Sequence, residues 1–188
     1  MEAVKRLHRL VFFGLALAAL ACAWAARAQH VEATEASIKA AFLYKFASYV
    51  EWPDGAFSTP EAPFVFAVMG ADDVAGDLSR LVAGRTVGSR PVSVRRMKEG
   101  ESLRGVHLVF VGRPESARLA SLARAGRQFG TLVVSEVPGG LEAGAAINFL
   151  VTEDRVGFEV SLAGAESGGH HISARMLQVA RRVVQKGS

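Results

Sequence analysis

Zinc chemistry, nucleophilic catalysis and acid–base catalysis each require particular residue types at particular spacings. Four histidines, His30, His107, His170 and His171, lie outside the basic amino terminus. A zinc site on a helix needs two histidines about four residues apart and a third ligand from elsewhere. His170 and His171 are adjacent, so their side chains diverge. They fit the polar approach to the last element better than a metal centre, and His107 falls inside or beside a strand. No Gly-x-Ser-x-Gly elbow is present to expose a serine nucleophile beside a base. Asp72, Asp73 and Asp77 read as capping and surface carboxylates, and Glu153 and Asp154 as solvated turn residues. Gly139-Gly140 and Gly168-Gly169 lack the spacing of a dinucleotide or P-loop fingerprint and read as flexible connections. The sequence therefore nominates no catalytic residue, no metal ligand and no cofactor.

What it does present is polar groups set among apolar neighbours. Lys39 projects into the aromatic arc of a helical run, where a bare ammonium is costly to bury. It either snorkels near the helix start, the simpler account, or meets a fixed carboxylate or an anionic ligand. Asn148 sits inside the apolar run 145–151, and Glu159 inside the facing strand of a hairpin. Arg175 falls in the first turn or two of the last helix. These four either satisfy one another and water or line a polar pocket or partner-facing patch. Tyr44 and Trp52, from the run 37–52, complete the candidate binding set, with core packing the plain alternative for Trp52.

The elements that carry these residues follow from periodicity. Ser37 to Trp52 reads as one helix, with Ile38, Phe42, Leu43, Phe46, Tyr49 and Val50 on one arc. Ala40, Ala41, Tyr44, Ala47 and Ser48 lie opposite, so the helix should pack on both sides. Pro53 disfavours helical geometry at Trp52 and should end the run there. Buried strands are expected at 64–69, 106–111 and 131–134, and a half-exposed strand at 92–95. Between them the pattern predicts a helix capped by Asp72 or Asp73 and closed by Gly84. A second starts at Pro114 and stops near Gly126. Strands at 145–151 and 156–160 flank a short turn and should form an antiparallel hairpin. The stripe Ile172, Met176, Val179, Ala180 and Val183 predicts a last helix over 172–184. Alternating strands and helices define a single α/β domain. Its sheet should be mostly parallel, with helices on both faces and a C-terminal antiparallel hairpin plus helix.

The amino terminus has a different purpose. Lys5, Arg6, His8 and Arg9 precede an apolar run from Leu10 to Trp24, and Ala26-Arg27-Ala28 offers a small-x-small cleavage pattern. That reads as a secretory signal over 1–28, cut after Ala28, too short and poorly flanked to be a membrane span. The mature domain, 29–188, would be periplasmic with no membrane span. Its balance is 18 basic against 17 acidic residues, so the chain's +4 charge resides mostly in the signal. No basic block remains to engage nucleic acid. The only cysteine, Cys22, leaves with the signal. The mature domain thus has no disulfide, no thiolate nucleophile and no thiolate metal site.

Several strings also carry a resemblance. Ile38-Lys39-Ala40-Ala41-Phe42-Leu43-Tyr44-Lys45-Phe46, closed by Glu51-Trp52-Pro53, resembles the opening signature of the YfiR family of small bacterial periplasmic proteins. Gly144-Ala145-Ala146-Ile147-Asn148-Phe149, the string from Val156 to Leu162 and the string from Ile172 to Ala180 are similar to its later elements. Ser161 replaces a usual asparagine, and Met176 a usual leucine. The resemblance implies a non-catalytic periplasmic regulator. The best understood relative binds the periplasmic sensor domain of an inner-membrane diguanylate cyclase and holds it inactive, lowering cyclic-di-GMP signalling. Family repressors carry disulfides that this mature chain cannot form, so redox-linked control is not expected to carry over.

Two classes of function then compete, with an unrecognised hydrolase, which an esterase and phosphatase screen would reveal, as a third. One is a repressor that docks through an apolar patch on 37–52. The other is a small-molecule-binding or sensory adaptor protein serving a transporter or histidine kinase, with a crevice at Gly70-Ala71-Asp72 and Gly112-Arg113-Pro114. A helix apolar on both sides also leaves room for a homodimer.

Overall fold

The computed structural model describes residues 33–153 and 155–185. The expected signal over 1–28 and the turn residue Asp154 lie outside them. Helix α1, Glu35–Tyr49, begins at Thr34, whose hydroxyl accepts the Ser37 N–H at 3.1 Å. It ends three residues earlier than Pro53 alone would require. Val50–Glu51 leaves the helix as a short strand, β1, and pairs antiparallel with β9, His171–Ile172.

Strand β2, Phe64–Met69, occupies the predicted span. Helix α2, Asp72–Val82, follows it, but Ala71 rather than an aspartate holds the cap position. Asp72 and Asp73 sit instead in the first turn, where their charge complements the helix dipole. Next come β3, Thr86–Val87, β4, Arg90–Arg96, and β5, Leu108–Val111. A 3-10 segment, Arg113–Arg118, opens on Pro114 and runs into α3, Leu119–Phe129. The predicted stop near Gly126 is overturned, because α3 continues to Phe129 and is closed by Gly130 at φ 62°. Gly126 serves packing: a Cβ there would meet Val133 Cγ2 at 2.7 Å and the Thr131 carbonyl oxygen at 2.8 Å.

Strand β6, Leu132–Ser135, precedes the hairpin of β7, Ile147–Thr152, and β8, Arg155–Ser161, in which Thr152 lies opposite Arg155. The chain closes with α4, Leu162–Glu166, then β9, then α5, Ala174–Leu177, and β10, Arg182–Val184. The expected helix over 172–184 is thus a correction: only four residues are helical. Val179, on its predicted buried stripe, is 68% exposed. The physical reason lies in the sheet, where β10 adds in parallel to the outer edge of β8.

The sheet has eight strands in the order β10-β8-β7-β6-β5-β2-β4-β3. Pairing is parallel except at β7–β8 and β3–β4, so the architecture is mixed and mostly parallel. Alternation splits its central strands between two cores. Phe64, Phe66, Leu108, Phe110, Leu132 and Val134 face α1 and α2. Ala67, Met69, Val109, Val111 and Val133 pack with Leu119 of α3 in the second core.

Candidate functional site

The chain moves from β2 to β4 on one side and from β5 to β6 on the other, so the order of strands reverses between β2 and β5. Such a switch point leaves a crevice outside the strand carboxyl ends. Gly112 lets the two loops meet there, since a Cβ on it would lie 2.3 Å from the Gly70 carbonyl oxygen. A cavity of about 240 Å³ opens over this point, lined by Glu35, Lys39, Asp73, Arg113 and Glu136 among others. Lys39 is 3% exposed, which rules out snorkelling. Its ammonium is gripped by Glu35 one turn earlier and by Glu136, just beyond the end of β6. Glu136 also accepts the Arg113 backbone N–H at 3.2 Å. The ammonium is thus neutralised by the fold, as a buried charge must be.

A second polar group crosses the sheet. Ser135, Asn148, Glu159 and Arg182 stand directly opposite one another on β6, β7, β8 and β10. The Ser135 hydroxyl donates to Asn148 Oδ1, and Asn148 Nδ2 donates to Glu159 Oε1 at 3.1 Å. Arg182 Nε donates to Glu159 Oε2 at 2.8 Å, and its Nη2 lies 2.6 Å from the same oxygen. Gly140 closes over the ladder, where a Cβ would fall 2.3 Å from both Asn148 Oδ1 and Ser135 Oγ. Asn148 and Glu159 therefore satisfy each other, as the sequence allows. Arg182, hidden by the mistaken last helix, supplies the counter-charge.

Trp52 joins a third cluster. Its ring packs edge-on against Phe64 at 4.9 Å and His170 at 5.1 Å, and its Nε1 donates to the Ala47 carbonyl oxygen at 3.1 Å. His107 completes the cluster, stacked on Phe57 at 4.4 Å. His107 Nδ1 accepts the Val65 N–H at 3.0 Å, so its proton resides on Nε2, which donates to the Ala56 carbonyl oxygen at 3.0 Å. Burial holds both His107 and His170 below the usual histidine range. For His107, the Arg90 guanidinium adds to that depression, while the bond to Ala56 opposes it. Trp52 is half-buried, one side of its ring held by the chain's own residues. Tyr44 stands apart from all of these, its hydroxyl donating to the Thr86 carbonyl oxygen at 2.8 Å.

Arg175 lies on the rim of a different feature. The buried stripe of α1 is Lys39, Ala40, Leu43, Phe46 and Ala47, which leaves Phe42 and Tyr49 only half-covered. Between them and α5 runs a groove of about 250 Å³, with Phe46 and Phe158 inside and Met176 and Val179 on the far wall. Phe42, Phe46, Phe149 and Phe158 form one aromatic cluster beneath it, with ring centroids 4.9 to 6.0 Å apart. Lys45 and Arg175 are the only charges lining the groove, and both are exposed. Neither forms an ion pair among the described residues.

The six candidates from the sequence are thus spread over five places rather than gathered into one site. Sequence reasoning missed Glu136, Ser135, Arg182, Lys45 and Val179. Of these, Lys45 carried a readable signal, one turn from Phe42 and Tyr49 on the run already singled out. Among the described residues no three His, Cys, Asp or Glu side chains are grouped to hold a metal ion. No described helix is long and apolar enough to cross a membrane.

The described residues thus form an α/β domain with buried Lys39 and Glu159 matched internally, a polar crevice at the switch point and an apolar groove beside α1. Comparison with family models places the chain more narrowly: residues 36–181 match the YfiR/HmsC-like family, and the chain belongs to it. That family is one of periplasmic regulators, regulatory rather than catalytic. A comparison with curated proteins gives no match. Among solved structures, the chain is similar to a conserved domain protein from Vibrio cholerae O1 biovar El Tor strain N16961. That likeness has TM-score 0.50 at 10% identity and covers 80% of this chain and 60% of that one. The chain therefore spans about 60% of the solved protein's length, and the likeness shows the fold alone.

Proposed function

We propose that this protein is exported, trimmed after Ala28, and represses by binding. Its target is the periplasmic sensor domain of an inner-membrane diguanylate cyclase, whose inactive form it favours by differential affinity. Membership of a family of periplasmic regulators supports the general role. The observation that carries the docking surface is the uncovered outer side of α1. Phe42 and Tyr49 stay half-covered there, beside a Val179 that is 68% exposed. Apolar surface left open in this way is characteristic of interaction sites. Trp52, engaged with Phe64 and His170, contributes by fixing the end of α1 rather than by contact.

The test is co-purification of the exported protein with the periplasmic sensor domain of a membrane diguanylate cyclase from the same organism. Stable association, lost when Phe42 is changed to Glu, supports the reading. Failure to associate, with or without candidate ligands, overturns it. Light scattering on the protein alone separates this from self-association through the same face, which would give a homodimer.

A second reading has its own observation. The polar crevice at the β2–β5 switch point is where open α/β sheets hold small molecules, which favours a ligand-binding adaptor for a transporter or histidine kinase. A metabolite that raises the melting temperature of the protein, and loses that effect in Arg113→Gln, would favour it.

A further inference from the structure

We propose that the groove between α1 and α5 is a binding site for a small single-chain anionic amphiphile, a medium-length alkyl carboxylate being the simplest case. The interior argues for the tail. Phe46 and Phe158 line it, Phe42 and Met176 take part in its walls, and its volume is about 250 Å³. A body with polar groups along its length would leave them unpaired against that hydrocarbon, which is unfavourable. Met176 adds an unbranched, adaptable side chain suited to closing on tails of differing shape.

The rim argues for the head. Lys45 from α1 and Arg175 from α5 are the only charged residues of the groove, both positive and both without an ion pair among the described residues. No carboxylate lines the groove, so its charge is of one sign, whereas the buried Lys39 and Glu159 are matched within the fold. Two unmatched cations beside an apolar groove therefore complement one anionic end on an apolar chain. A peptide segment fits less well, because its backbone amides need partners that a groove of this lining does not supply. The inference shares a surface with the docking proposal without resting on it.

The experiment is calorimetric titration of the purified protein with decanoate, decanol and decyltrimethylammonium, all below their micellar concentrations. The three share a tail and differ in the charge of the head. Decanoate should bind at one site, and decanol about tenfold more weakly, a difference expected of a charge-assisted contact. Decyltrimethylammonium should show no measurable binding. Lys45→Gln and Arg175→Gln should each weaken decanoate about fivefold and leave decanol unchanged, since each removes one charge from the rim. Met176→Trp should fill the groove and abolish binding of both. Equal affinity for the three heads, or decanoate binding indifferent to all three variants, would overturn the assignment. So would saturable binding of an acidic apolar peptide with none of decanoate. No partner protein enters the measurement, so its failure leaves the docking proposal intact, and the reverse holds.

Discussion

The ladder across β6, β7, β8 and β10 and the groove beside α1 both place charge next to apolar surface, and they resolve it in opposite ways. In the ladder every charge has its partner within the chain, and Glu159, 5% exposed, ends on Arg182. In the groove Lys45 and Arg175 face outward with no carboxylate to meet them among the described residues. A closed network fixes one arrangement of strands. An open one keeps its binding capacity for something else. Burial and polarity alone do not separate the two; whether the polar groups find partners in the fold does.

The largest effect should come from opening the ladder. Arg182→Ala leaves the buried Glu159 carboxylate with only the Asn148 amide, and should lower the denaturation midpoint more than any of the substitutions that follow. Urea denaturation measures it. Adding Glu159→Gln should recover most of the loss, because the remaining amide is neutral and can still accept from Asn148. No recovery would mean that Arg182 acts by packing β10 rather than by charge.

A smaller loss is expected at the crevice. Lys39→Met removes the ammonium that Glu35 and Glu136 share. Glu136 sits at the opening and can regain water, so the expected loss is about 2 kcal/mol, within the range for unpaired buried groups. Glu136→Gln should lose less, since Glu35 still neutralises Lys39. Equal losses in the two variants would break this ranking.

How much of this the sequence discloses depends on how far apart the partners lie. Strand β2 is legible to the residue because an unbroken apolar run is bounded by Pro63 and Gly70. That Asn148 and Glu159 lie on facing strands of one hairpin is legible too, but their pairing comes from the register with Thr152 opposite Arg155, which the sequence alone leaves open. Lys39 can be recognised as a misfit, but its partner Glu136 is 97 residues away and nothing local points to it. The last helix fails for a related reason. The spacing of Ile172, Met176, Val179 and Val183 suits a helix, yet the open edge of β8 and the buried Glu159 draw 182–184 into the sheet. Tertiary demand overrides local propensity there, and with the helix misassigned, Arg182 and the groove under Val179 were both hidden.

Mild acidification should act more weakly, through the aromatic cluster. Burial sets the folded-state pKa of His107 and His170 below the histidine value of 6.5. The unfolded chain therefore binds protons first as pH falls, and stability is lost from about pH 6.5 downward through the folded-state values. For His107, protonation of Nδ1 would also break its bond from the Val65 N–H. Denaturation midpoints should hold steady from pH 8 to 7 and decline below 6.5. An imidazole titrating at or above 6.5 by NMR, assigned to His107 or His170, would contradict the assignment.

The smallest effect on stability is the one that most sharpens the contrast. Lys45→Gln and Arg175→Gln change exposed residues with no ion pair among those described. Each should shift unfolding free energy by less than about 0.5 kcal/mol, as surface substitutions usually do. A stabilising shift would fit relief of repulsion between two cations on one rim, and would strengthen the view that they await an anion. A loss of 2 kcal/mol or more, comparable to opening the crevice, would mean that the fold already uses these charges. The groove would then be a closed network like the ladder, and the difference drawn between the two regions would disappear.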